Sequence, residues 1–145
     1  MTMNNKHYKI GYTTGVYDMF HIGHLNILRG AKSLCDYLIV GVTTDELCYS
    51  RKHKYPIICE KDRSDIVQSI RYVDQVIYQT NMDKVSAARA LGAEVIFVGS
   101  DWKNTPAWIK YEEDLKEINC DVVYLDHTDG ISSTVLREKL NEQDY

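Results

Sequence analysis

Five apolar runs separated by helical patterns constrain this chain more than any other feature. Tyr8–Val16, Tyr37–Thr43, Gln75–Tyr78, Glu94–Gly99 and Asp121–Asp126 read as strands. Tyr37–Thr43 is continuously apolar, the form of a strand buried on both faces. His24–Leu34 carries Leu25, Leu28, Ala31 and Leu34 at helical spacing. A helix is expected near 60–71, and another over Asp83–Leu91, stopped by Gly92. Thr105 and Pro106 supply an N-cap and a first helical residue. Ser132 or Ser133 can cap a last helix over Thr134–Asn141. The polar stretch 44–59 receives no element. Strand alternating with helix implies parallel strands and right-handed crossovers. The expected fold is α/β: a Rossmann-like, doubly wound open sheet of about five parallel strands with helices on both faces. In such sheets ligands bind at the carboxyl ends of the strands.

At 145 residues the chain suggests one domain, with a core over about 8–140. No run approaches the roughly 20 apolar residues of a bilayer span, and the first residues lack the apolar core of an export signal. Cys35, Cys48, Cys59 and Cys120 are scattered without a paired spacing, which fits reduced thiols and a cytoplasmic protein. The net charge of −4 carries no basic footprint for nucleic acid. Arg51-Lys52-His53-Lys54 is a basic island that suits a small anionic ligand.

His21-Ile22-Gly23-His24 follows the first strand, where a ligand would sit. A zinc reading lacks a third and fourth ligand. Burial as two satisfied core histidines is the plain alternative. A phosphate site unites more features. A helix starting here offers unpaired N–H groups and a partial positive charge. Gly15 lets the backbone approach a ligand, Gly23 leaves room between the rings, and each imidazole can donate to phosphate oxygens. By residue type alone, Trp102 and Trp108 read as packing, Arg71 and Asp74 as a helix-end ion pair, and Ser132, Ser133 and Thr134 as caps.

The stretch from Gly15-Val16-Tyr17-Asp18 to His21-Ile22-Gly23-His24 resembles the GxFDxxHxGH signature of the cytidylyltransferase-like nucleotidyltransferases. Arg71–Ile77 resembles that family's RYVDEVI motif, Val98–Trp102 its GDDW, and Asp129–Thr134 its closing RTEGISTT. The likeness spans about residues 9–140 and is greatest to the short single-domain cytidylyltransferases that act on glycerol 3-phosphate. It implies transfer of CMP from CTP to a small phosphorylated alcohol, with Mg²⁺ accompanying the triphosphate and a homodimer as the assembly. By resemblance His21, His24, Lys52 and Arg71 are catalytic. Gly15, Val16, Tyr17, Ile22, Gly23, His127, Thr128, Gly130, Ile131, Ser132, Ser133 and Thr134 contact the nucleotide. Asp18, Lys54, Lys84 and Asp101 contact the acceptor, and no resident metal site is expected.

Three positions depart from the pattern. Val16 replaces a threonine, Ser100 replaces an aspartate, and His127 stands where the family has arginine. Histidine offers one donor where arginine offers a fork. Residues 81–85 also match poorly, although Lys84 can reach a phosphate. These departures leave open another acceptor such as phosphocholine or phosphoethanolamine, AMP transfer from ATP, or a nucleotide-binding module without turnover.

Overall fold

A computed structural model describes residues 6–126 and 133–143, without the side chains of 133, 134, 142 and 143. Five strands, β1 (Tyr8–Gly15), β2 (Cys35–Thr43), β3 (Gln75–Gln79), β4 (Val95–Gly99) and β5 (Asp121–Leu125), form one sheet in the order β3-β2-β1-β4-β5. Every pairing is parallel. The chain reverses its winding at β1, so β1 lies at the centre and its carboxyl end opens onto the switch point.

The helices are α1 (Ile22–Lys32), α2 (Asp45–Lys52), α3 (Glu60–Gln68), α4 (Lys84–Leu91), α5 (Pro106–Lys116) and α6 (Ser133–Gln143). Successive residues of a strand face opposite sides, and β2 shows why both faces are covered. Leu38, Val40 and Val42 pack with Leu28 of α1 and Val67 of α3. Ile39 packs with Tyr12, Ile96, Ala88 of α4 and Trp108 and Leu115 of α5. The expected doubly wound arrangement is therefore present.

Caps set several boundaries. Thr105 accepts from the Trp108 N–H with Pro106 behind it, and Gly92 closes α4 at φ 68°. Asp83, expected inside α4, is its N-cap and accepts from the Ser86 N–H at 3.0 Å. α2 occupies the stretch that received no element. Thr44 caps its start and His53 closes it at φ 59°. The four cysteines are free thiols, three of them buried. No helix among the described residues is long and apolar enough to cross a membrane.

Candidate active site

The carboxyl ends of β1, β2 and β4 border two hollows of about 380 and 270 Å³. Both are lined by Thr14, Gly15, Val16, Cys48, Lys52 and Trp102, so they form one divided cleft. The loop from β1 to α1 turns sharply, with Tyr17 at φ 55° and Met19 at φ 49°. Non-glycine residues there cost on the order of 1 kcal/mol each. Burial of Tyr17 holds the turn. Its ring lies over Gly15, where a Cβ would meet it at 2.9 Å. Gly15 therefore makes space for Tyr17, rather than for a ligand approaching the backbone.

His21 is the N-cap of α1. Its Nδ1 accepts the Gly23 N–H at 3.1 Å, and Nδ1 of His24 accepts the His21 N–H at 3.2 Å. Two of the four N–H groups expected to face an anion are thus taken by imidazole nitrogens. The rings stack at 3.8 Å between centroids, so no ligand atom lies between them. Burial lowers the pKa of both rings, that of His24 to about 4 with His21 adding to the effect. Both imidazoles are therefore neutral near pH 7. With each Nδ1 accepting, each proton resides on Nε2. Neither Nε2 has a hydrogen-bond partner among the described residues; His24 lines the larger hollow, and His21 stacks on it at the N-terminus of α1.

Arg63, completely buried, ties the floor together. Its Nη1 donates to the carbonyls of Val16 at 2.7 Å and Thr43 at 2.8 Å. Its Nε donates to Ile58 at 2.7 Å and its Nη2 to Asp45 at 2.6 Å. Four segments meet at this one side chain. Asp18, 3% exposed, does similar work at the mouth. Its oxygens accept the Ile57 and Ile58 N–H groups at 2.8 and 2.9 Å and Arg137 of α6 at 2.6 Å. Three donors converge on it, so it positions residues 57–58 and α6 while lining the larger hollow.

Lys52 lies at the end of α2, not in a loop, and lines both hollows. Lys54 and His24 line the larger one. Lys84 lines the smaller and is 6% exposed. Its Nζ donates to the Thr14 hydroxyl at 2.9 Å and sits 5.5 Å from the centre of the Trp108 ring. Burial, with Arg51 adding, pulls its pKa down to about 8. Trp108 and the half-exposed Trp102 line the cleft as well as packing.

Other expected residues lie elsewhere. Arg71 precedes β3 at the opposite end of the sheet, exposed beside Tyr72, so the chain does not bring it to its own cleft. Asp74 binds Lys32 and the Leu38 N–H there and anchors the start of β2. Ile22 is exposed on the first turn of α1, and Asp101 is exposed on the 3₁₀ turn Ser100–Trp102. His127, Thr128, Gly130, Ile131 and Ser132 lie outside the described residues. Ser133 and Thr134 begin α6, their side chains not described. Arg63 and Arg137 were missed, since each reads in sequence as an ordinary helix-surface arginine. No cluster of three potential metal ligands occurs among the described residues.

The lining thus has Arg51, Lys52, Lys54, Lys84 and Arg137 against one carboxylate, Asp18. An excess of cations of this kind matches the charge of phosphate groups. The family model described as Cytidylyltransferase-like matches residues 12–139. A glycerol-3-phosphate cytidylyltransferase of Staphylococcus aureus is 36% identical over 133 residues, 91% of this chain and 95% of that protein. An FAD synthase of Archaeoglobus fulgidus is 36% identical over 111 residues, 76% of this chain and 79% of its own. The crystal structure of a lipopolysaccharide core biosynthesis protein of Thermoplasma volcanium superposes with a TM-score of 0.69 at 25% identity, over 83% of this chain and 96% of that one.

Proposed function

The chain belongs to the cytidylyltransferase-like family, and from that premise we propose that it transfers CMP from CTP to glycerol 3-phosphate, giving CDP-glycerol and pyrophosphate. The observation that carries this reading is the pair of neutral, stacked histidines whose Nδ1 atoms both accept backbone N–H groups, which puts their protons on Nε2. An oxygen of the acceptor phosphate bonds to the α-phosphorus as the bond to the pyrophosphate oxygen breaks. Negative charge shifts onto the leaving group and the equatorial oxygens. His21 and His24 donate to those oxygens with no proton released and no covalent intermediate. Lys52, common to both hollows, bridges the two reacting phosphates as a compact cation. Lys54 and Arg137 hold the triphosphate in the larger hollow.

Mg²⁺ enters with CTP. The lining offers it only Asp18, whose oxygens are engaged, so the ion is held by the substrate phosphates, as is usual for Mg²⁺. The protein works in the cytoplasm as a homodimer, with the stretch 71–77 at the interface. Arg71 reaches a cleft only from a partner subunit.

Pyrophosphate release is measured with Mg²⁺ and glycerol 3-phosphate, comparing CTP with ATP. The FAD synthase relative makes ATP the telling control. CTP-dependent release is expected, together with its loss in His21→Ala and His24→Ala proteins that still fold. ATP-dependent release would reassign the nucleotide. Thermal stabilisation by CTP without release, across a panel of acceptors, would make the chain a binding module.

A further inference from the structure

The smaller hollow holds a buried side chain that the mechanism above does not use. Gln79 ends β3 and is 7% exposed. Its Oε1 accepts the Thr43 hydroxyl at 2.7 Å, and its carbonyl accepts the Thr44 N–H at 3.1 Å. The Thr43 bond orients the amide so that Nε2 carries the remaining donors, and the Thr44 bond holds the backbone beneath it. The contact of Nε2 among the described residues is Met82 Sδ at 3.5 Å, a weak acceptor. A buried amide donor facing a thioether lacks a good partner, and an oxygen placed there would supply one.

The surroundings limit what brings that oxygen. Among the described residues Lys84 Nζ makes one hydrogen bond, to Thr14, and Arg51 Nη1 lies 3.0 Å from Met82 Sδ. No carboxylate lines this hollow among the described residues. It accepts an anion with hydroxyl groups and repels an ammonium. The aromatic wall does not rescue a choline-like group, because Lys84 already sits over Trp108.

We propose that Gln79, beside Lys84 in the smaller hollow, determines acceptor specificity, its amide donating to a hydroxyl oxygen of a phosphorylated polyol. This rests on the reading of the reaction as cytidylyl transfer. The acceptor phosphate lies between Lys84 and Lys52, which is common to both hollows, and the polyol extends toward Gln79 and Met82. Phosphorylated amino alcohols are poor acceptors.

The test compares kcat/KM for glycerol 3-phosphate, 1-propyl phosphate and phosphoethanolamine at fixed CTP. The wild type should prefer glycerol 3-phosphate over propyl phosphate by about 10²-fold or more, since a site built for a hydroxyl rejects the analogue lacking it. Gln79→Leu should bring that ratio to within about tenfold of unity. Gln79→Glu keeps the Thr43 bond and the shape but removes the donors, so it should shift preference toward phosphoethanolamine. CTP-induced thermal stabilisation checks that each variant retains its nucleotide site. Ratios unmoved in both variants overturn the role of Gln79 while leaving cytidylyl transfer intact. Wild-type protein that turns over none of the acceptors with CTP overturns both.

Discussion

The two nitrogens of each active-site histidine have separate duties, and substitution can separate them. In His21, Nδ1 caps α1, which leaves Nε2 for the role proposed above. Asparagine places an oxygen where Nδ1 is and is among the best N-caps. His21→Asn should therefore stay within about 0.5 kcal/mol of wild type in urea unfolding, while turnover falls about 10²–10³-fold. His21→Ala should lose the same turnover and a further ~1 kcal/mol of stability. If His21→Asn retains full turnover, the Nε2 proton has no role. At Lys84 the relevant variable is pH. Burial holds this ammonium near pKa 8. A lysine binds phosphate only while protonated, and phosphate monoesters are fully dianionic by then. The KM for the acceptor should thus rise above pH 8, approaching tenfold per unit. A flat acceptor KM between pH 7.5 and 9.5 would remove Lys84 from that subsite.

Among the elements, α2 and α3 show where sequence reading succeeds and fails. α3 was legible. α2 was not, because Cys48 is its single buried residue and no apolar stripe marks it. Its existence depends on Thr44 capping one end, His53 turning the other, and Asp45 meeting Arg63. The last contact cannot be seen in a one-dimensional pattern, since Arg63 occupies a helix position that normally faces water. His21, His24, Lys52, Lys54 and Lys84 were legible as candidates because their chemistry is local or island-like. Asp18 was legible as important, but its role depends on Ile57, Ile58 and Arg137, far away in sequence. Arg63→Leu should cost about 3–5 kcal/mol, since it strands Asp45 and three carbonyls. A shift of the urea midpoint measures this, and a loss below ~1 kcal/mol would show that water replaces the guanidinium.

For the whole molecule, His24 links stability to acid. Its folded pKa of about 4 lies below the ordinary 6.5. The unfolded chain therefore takes up the proton first as pH falls. The stabilisation is complete above pH 6.5, is lost between 6.5 and 4, and changes no further below that. The loss is at most about 3 kcal/mol. Urea midpoints at pH 7, 5.5 and 4 should fall more steeply for wild type than for His24→Asn. Parallel slopes would mean that His24 does not titrate abnormally.

The division of the cleft has a consequence for descent. The shared rim comes from β1, Cys48, Lys52, Trp102 and Trp108, whereas the smaller hollow adds Gln79, Met82 and Lys84 and, from α5, Ala107 and Tyr111. A lineage can therefore rewrite two short stretches and serve a new polyol while its triphosphate chemistry stays untouched. The poor match at 81–85 overlaps one of those stretches, where inherited machinery leaves room for a change of acceptor.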